Sequence, residues 1–414
     1  MLIRKTLAFC CSKRFGTLGA LSITAAFLIL SLTRSYPYAD FQTIAQSVGD
    51  DWNTYARYAL DIKHHGILMP LDHKAYYCPG SFLYSYFIAL FLVIFGEKAL
   101  PIFIAQHLML GLSVALVYWT FRDKMKNLTG LLFLFALLVF AYKDFYKNYS
   151  SLLLSENLAV FTVAVFFFCF VKGLTKNNFV LQLLAAFFMG LSILTRPNLV
   201  IYGIALVPLV ALRYLKKEKK GLTKLLIFVC VLLVSSSFLM IRNYLVCRKL
   251  DFLPVQVSSI SFIKLYHPVP PSVDLSRVGT NIVYSRLHLN KDFVEYIEYA
   301  LQKPALFFGH YLKKIIFCLG FLPVLVTTHE LRLRWVLMWA GYFVYVFMRV
   351  KKRERFETWE TASHLFIFCF YGSLVVSGPI VNYGFRMLIP ALPFVLVFSF
   401  LAIDRLIPSA RISR

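Results

Sequence analysis

The chain has 414 residues, of which 59% are hydrophobic and only 15% are charged, and its mean hydropathy is +0.69. A soluble fold of this length could not bury so much apolar surface, so the composition excludes a water-soluble globular protein. The net charge of +24 does not indicate nucleic-acid binding, because the basic residues concentrate in short loops between apolar segments, where they orient helices and contact membrane lipids.

Apolar runs alternate with short polar turns along the whole chain. They lie near 16–34, 81–96, 99–121, 129–142, 158–171, 179–194, 198–212, 224–241, 305–326, 333–348, 361–378 and 386–403. The first run lacks a small-x-small cleavage site and is therefore interpreted as a retained signal anchor. If every run crossed the membrane, the basic loop 213–224 would lie outside, against the positive-inside rule.

This conflict disappears if 81–96 lies at the outer interface and 305–326 is interfacial or re-entrant. A helix over 81–96 is also short, at roughly 24 Å for a hydrocarbon core of about 30 Å. We therefore predict an all-α polytopic membrane protein with about ten transmembrane helices, interfacial helices in the first external loop and both termini in the cytoplasm.

The predicted threading divides the chain into three parts. Residues 1–241 form a membrane core that includes the first external loop, 35–98, while 242–332 form a second extracytoplasmic segment and 333–414 the C-terminal transmembrane helices. Cytoplasmic turns are short and basic, so we expect any chemistry outside or in the outer leaflet. Cys78 and Cys247 both fall in external segments, and their pairing is left open. The eight cysteines contain no CxxC motif.

The first external loop contains a predicted amphipathic helix that ends at Gly66. One face carries apolar and aromatic side chains at i, i+3, i+4 and i+7: Tyr55, Tyr58, Ala59 and Ile62. Such a helix is expected to lie in the membrane plane. Asp50 and Asp51 stand at its N-terminus, where they are either helix caps or functional carboxylates.

The spacing Asp51-x-x-x-Tyr55 after a first membrane helix is followed by a break at 76–80, an apolar helix over 82–96 and a crossing over 99–121. In this order the chain resembles the glycosyltransferase-C superfamily, specifically the bacterial branch related to protein O-mannosyltransferases and lipid A aminoarabinose transferases. Further similar stretches are Leu154-Ser155-Glu156-Asn157-Leu158, the segment 190–197, Ile241-Arg242-Asn243-Tyr244 and the segment 385–390. The resemblance covers most of residues 20–400.

One departure concerns the break. That family often has a His or Lys directly before two prolines, whereas this chain has Tyr77-Cys78-Pro79-Gly80, and Lys74 is the nearest basic substitute.

The resemblance implies a glycosyltransferase-C-like fold and an enzyme of the bacterial inner membrane that builds a cell-envelope glycan. Its expected donor is a polyprenyl-phosphate-linked sugar, and its acceptor a glycan, a lipid or a protein. Asp51 is the implied general base, with Asp50 as its helper or as a metal-facing partner. No cofactor is required by the motif, and a divalent metal, Mg²⁺ or Mn²⁺, is compatible with the two carboxylates.

A phosphate leaving group calls for cations where negative charge develops. Four basic residues are candidates on the outer side: Arg242, Arg196, Arg386 and Lys74. Their alternative role is to extend toward lipid headgroups. Glu156 opens a crossing and is either a first-turn acid favoured by the helix dipole or a second carboxylate facing the cavity. Tyr55 and Tyr77 complete the predicted cavity, whereas the histidines of this loop lack metal-ligand spacing.

Other classes of function make different demands on the sequence. A transporter or flippase of lipid-linked sugars needs ionisable residues in mid-membrane, where His107 stands nearly alone. A membrane acyltransferase would show a His-centred motif. A non-catalytic scaffold would leave Asp50 and Asp51 as helix caps. The sequence favours glycosyl transfer, and it does not specify the sugar or the acceptor.

Overall fold

The computed structural model describes residues 13–33, 41–46, 51–67, 82–141, 153, 155–217, 220–247, 301–302, 304–305, 312, 333–377 and 390–407. In the first half of the chain the described helices are α1 Lys13–Thr33, α2 Phe41–Gln46, α3 Asp51–His65, α4 Phe82–Phe95, α5 Leu100–Phe121 and α6 Asn127–Val139. In the second half they are α7 Glu156–Thr175, α8 Phe179–Thr195, α9 Val200–Lys217, α10 Gly221–Cys247, α11 Leu333–Lys351, α12 Thr358–Ser377 and α13 Leu392–Leu406.

These helices confirm the all-α membrane architecture. Three stretches of the described residues are long and apolar enough to cross a bilayer by themselves: Leu100–Lys124, Glu156–Thr175 and Gly221–Phe238. The total of about ten crossings stays a prediction. The run 305–326 lies almost wholly outside the described residues, and so do Cys78 and the side chain of Cys247.

The basic turns between helices lie at one end of the bundle, which we call the inner end. In these turns Lys172 Nζ lies 3.0 Å from Asp123 Oδ2, and Lys124 Nζ lies 3.4 Å from Glu357 Oε2. The backbone N–H of Lys126 donates to Asp404 at 3.0 Å. These contacts join the α5–α6 turn to the last turn of α7, to the α11–α12 turn and to the end of α13.

A second polar network at the inner end connects α11, α12 and α13 through ion pairs and hydrogen bonds. The Arg349 guanidinium lies 2.7 Å from Glu354 and 2.6 Å from Glu360, and Arg405 lies 2.8 Å from Glu354. The Tyr345 hydroxyl donates to Glu360. Hydrogen bonds from Arg405 and Arg349 hold the pKa of the Glu354 carboxyl below its ordinary value. Each named charge therefore has an opposite partner in this network.

Small residues bring several helices into close contact. A Cβ added at Gly111 of α5 would lie 2.7 Å from the Thr24 Cα of α1, and one added at Gly190 of α8 would lie 3.0 Å from the Ser235 backbone of α10. Larger side chains would force these helices apart. Close backbone approach through small residues is typical of helix packing in membranes, where lipid supplies no hydrophobic drive for association.

Helices α2, α3 and α4 form a separate small core. In α3 the side chains of Tyr55, Ala59 and Ile62 are buried and Tyr58 is half-buried. They pack with residues of α2 and α4 and with the beginnings of α5 and α7. The helix ends at Gly66, whose φ of 87° suits glycine and whose N–H donates to the Ile62 carbonyl at 2.9 Å. The predicted amphipathic helix and its end are thus confirmed.

Candidate active site at the outer end of the bundle

The ends of several helices meet opposite the basic turns, at what we call the outer end. The start of α7, the C-terminal ends of α8 and α10, and the helices α3 and α4 contribute to it. Buried polar side chains are frequent there. Because a buried polar group is destabilising without a partner, such a concentration marks a candidate site.

Glu156 and Arg196 form a buried ion pair at this end. Arg196 Nη2 lies 2.5 Å from Glu156 Oε1; the Glu156 side chain is fully buried, and the Arg196 side chain is 12% exposed. The start of α7 favours the negative charge through the helix dipole, and the end of α8 favours the positive one. The two residues, for which the sequence predicted separate roles, therefore stabilise each other.

Tyr84 links this ion pair to the first external loop. Its hydroxyl donates to Gln106 of α5, and it is close enough to Glu156 to interact with it electrostatically. The Tyr55 ring of α3 meets the Tyr84 ring edge-on, with centroids 5.2 Å apart. Of the predicted cavity residues, Tyr55 thus contacts Tyr84 directly, and Glu156 lies within electrostatic range of it.

Arg242 points into the protein from the last part of α10. Only 2% of it is exposed, and its guanidinium forms a hydrogen bond with the Tyr86 hydroxyl oxygen of α4. The Tyr86 hydroxyl donates to the Ile67 carbonyl, just beyond α3, and the Tyr86 ring packs edge-on against Phe238. Arg242 therefore contacts the wall formed by α4 and does not face the lipid-exposed perimeter.

Buried amides are also found at this end. Asn157 follows Glu156 in α7 and is 1% exposed, and within the described part of the chain its amide has no hydrogen-bond partner. The same holds for the Asn53 carbonyl oxygen of α3, in a residue that is 3% exposed. An unsatisfied buried group costs about 1–3 kcal/mol, so these amides are suited to bind a ligand.

Several predicted site residues fall outside the described part of the chain: Asp50, Lys74, Tyr77 and Arg386. Helix α3 begins at Asp51, as predicted, whereas the side chain of Asp51 is not among those described. Among the side chains that are described, no group of three or more His, Cys, Asp or Glu could hold a metal ion. The roles of the two aspartates and of a divalent metal stay predictions.

Sequence reasoning missed the residues that connect the site. Tyr84, Tyr86 and Gln106 lie within apolar runs and were interpreted only as parts of helices. A signal for them exists in the sequence, because hydroxyl and amide side chains inside such runs must find hydrogen-bond partners. The signal gives no indication of which helix supplies the partner.

A family described as dolichyl-phosphate-mannose-protein mannosyltransferase matches residues 79–240. No curated protein matches the chain.

Among solved structures, the oligosaccharyltransferase AglB from Archaeoglobus fulgidus, in complex with an inhibitory peptide and a dolichol-phosphate, is 13% identical with a TM-score of 0.47. An apo form of the Archaeoglobus fulgidus oligosaccharyltransferase is 13% identical with a TM-score of 0.46. Each alignment covers 93% of this chain and 50% of the other, so the chain spans half the length of those proteins. The match over 79–240, which is less than half of the chain, agrees with the resemblance to the glycosyltransferase-C superfamily that the sequence indicated.

Proposed function

We propose that this chain transfers a sugar from a polyprenyl-phosphate donor to an acceptor hydroxyl or amine on the extracytoplasmic face of the bacterial inner membrane. The acceptor is a glycan, a lipid or a protein. The observation that carries the proposal is the inward position of Arg242 beside Tyr86 of helix α4, the helix whose Tyr84 lies within electrostatic range of Glu156. A cation buried against an interfacial helix suits a lipid phosphate, whose tail stays in the bilayer.

Asp51 is the proposed general base. Helix α3 begins at this residue and packs on α4 through Tyr55 and Tyr84, so its first turn belongs to the same group of elements as the polar residues of the outer end. In the reaction the acceptor oxygen or nitrogen bonds to the anomeric carbon while the bond from that carbon to the phosphate oxygen breaks. Asp51 takes the acceptor proton, and the phosphate leaves with the bonding electrons.

Arg242 is the leading candidate for the leaving phosphate. Its planar guanidinium can grip two phosphate oxygens, which an ammonium cannot do. Arg196 is a weaker candidate because Glu156 already balances its charge at 2.5 Å. Arg386 and Lys74 remain alternatives. Asp50 is proposed as a helper of Asp51 or as a ligand of Mg²⁺ or Mn²⁺, and turnover after chelation with and without each ion distinguishes these roles.

Transfer by the purified protein in lipid nanodiscs, with a panel of labelled polyprenyl-phosphate sugars, tests the proposal. Asp51→Asn keeps a capping oxygen but removes the basicity, so turnover should fall by about 10²- to 10⁴-fold. Asp61→Asn is the matched control, because Asp61 is an exposed carboxylate on the same helix and should tolerate the change. Near-normal turnover by Asp51→Asn would show that Asp51 is not the base. Failure to bind any such donor would contradict the enzyme proposal as a whole.

The proposed orientation places both termini and the inner end in the cytoplasm. A cysteine introduced at Lys98, in the turn after α4, should react with an impermeant thiol reagent added to intact cells. A cysteine at Lys219, in the basic loop 213–224, should react only after the cells are opened. Labelling at 219 from outside would reverse the orientation.

A further inference from the structure

Three segments of the first external loop meet at the carboxylate of Glu97. This residue lies in the turn between α4 and α5, directly after Gly96, whose φ of 73° lets the chain reverse there. Lys63 Nζ donates to Glu97 Oε1 at 2.6 Å, and Gln42 Nε2 donates to Glu97 Oε2 at 2.6 Å. His64 Nε2 lies 3.6 Å from the same carboxylate. One acid thus contacts α2, the last turn of α3 and the turn before α5.

Two of the partners of Glu97, Lys63 and His64, lie on the helix that carries Asp51 at its other end. Lys63 belongs to the last turn of α3, and Asp51 is its first residue. Twelve helical steps separate them, a distance of about 18 Å along a rigid helix. A displacement of the Lys63 end is therefore transmitted to the Asp51 end.

The contacts of Glu97 add a directional restraint to the packing of α3. The buried face of α3 presents Ala56 and Ala59 to the surrounding core, and the Tyr55 ring meets Tyr84 edge-on. The apolar part of this packing is largely non-directional. The charge-assisted hydrogen bonds of Glu97 are directional and fix the position of α3 along its axis.

We propose that Glu97 is a positioning residue, which anchors α3 so that Asp51 stays at the correct depth and distance for proton transfer. This inference rests on the proposed function, in which Asp51 is the base. A purely structural role for Glu97 would change the amount of folded protein and would leave the turnover of each folded molecule unaltered.

The test compares four versions of the full chain in nanodiscs: wild type, Glu97→Ala, the swap Glu97→Lys with Lys63→Glu, and Asp123→Ala. The last is the matched control, because it removes a single ion pair, Asp123–Lys172 at 3.0 Å, from the inner end. For each, sugar transfer is measured per folded molecule, together with amide hydrogen exchange over residues 51–65.

Glu97→Ala should raise exchange over 51–65 and lower kcat by about 2- to 5-fold, with KM for the donor nearly unchanged, because a base that is misplaced in part of the molecules slows the reaction without weakening binding. The swap should restore both readouts, and Asp123→Ala should change neither. Unchanged exchange or unchanged kcat in Glu97→Ala, or a swap that restores nothing, would overturn the role of Glu97. A wild type that transfers no sugar would contradict the proposed function instead, and the exchange result would still decide whether Glu97 anchors α3.

Discussion

The two ends of the helix bundle use charge in different ways. At the inner end Arg349 and Arg405 contact Glu354 and Glu360, and the network clasps the ends of three helices. At the outer end Arg242 is buried against a tyrosine hydroxyl, and Asn157 has no hydrogen-bond partner within the described residues. A network whose charges are paired with one another holds a fold together, whereas a buried amide that can still form hydrogen bonds is suited to recognise a ligand.

The largest expected effect on folding is at the inner end. Glu360→Ala removes a 3% exposed carboxylate that accepts hydrogen bonds from Arg349, Tyr345 and the backbone N–H of Glu357. Arg349 keeps Glu354 as a partner, but the buried Tyr345 hydroxyl loses its acceptor and Arg349 loses one of its two carboxylates, so the protein should be destabilised by about 1–3 kcal/mol. Thermal unfolding in detergent measures the loss. The transfer rate of the molecules that remain folded should stay normal, and a specific loss of turnover would break the distinction between the two ends.

The reverse pattern is expected for Arg242. Arg242→Lys keeps the charge but loses the two-pronged grip on phosphate, so transfer should fall by about 10²-fold while the unfolding temperature changes little. Arg405→Lys is the control at the inner end, where the side chain is 29% exposed, and it should leave transfer unchanged. If both variants behaved alike in the transfer assay, Arg242 would have no special role toward the donor.

Asn157 sharpens the comparison further. Asn157→Leu replaces a buried amide by an apolar side chain of similar size, which should leave the fold equally or more stable. If the amide binds a substrate, KM for the donor or the acceptor should rise by about tenfold. The readout is the change in KM beside the change in unfolding temperature. Greater stability with unaltered KM would show that the Asn157 amide is only an unsatisfied buried group and does not bind a substrate.

The smallest effect concerns pH. Hydrogen bonds from Lys63 and Gln42 and the nearby charges of Lys63 and His64 hold the pKa of Glu97 below its ordinary value of 4.5. Because the pKa is lowered in the folded state, the stabilisation is fully present above pH 4.5 and is lost as the pH falls through the lowered value. At pH 7 the free energy of unfolding of wild type should thus exceed that of Glu97→Gln by less than about 1 kcal/mol, because the group is partly exposed. Wild type should therefore unfold at a slightly higher temperature. The two proteins should converge in acid, and a difference that persisted at pH 3 would contradict this assignment.

The sequence predicted the helices well, since each is set by its own composition. The run 179–194 became α8 Phe179–Thr195, and the apolar face of Tyr55, Ala59 and Ile62 is buried. The connections between helices were not predictable in this way. Glu156 and Arg196 are forty positions apart, and only the antiparallel packing of α7 and α8 makes them a pair.

The remaining gap has a similar cause. Tyr86 and Arg242 lie on helices separated by much of the chain. Glu97 looks like an ordinary turn residue in the sequence, and its role depends on contacts with α2 and α3 that only the folded structure reveals. The predictions for Asp50, Lys74, Tyr77 and Arg386 concern residues outside the described part of the chain and stay predictions.

The proposed function requires that the outer end binds the phosphate of a lipid-linked sugar. A polyprenyl-phosphate analogue with a photoreactive group beside the phosphate, irradiated with the wild-type protein in nanodiscs, tests it most directly. The claim predicts cross-links in peptides that contain Tyr86 and Arg242, reduced by an excess of unlabelled donor and by Arg242→Lys. Cross-links confined to the inner end, around Arg349 and Arg405, or labelling that an excess of donor leaves unchanged, would contradict it.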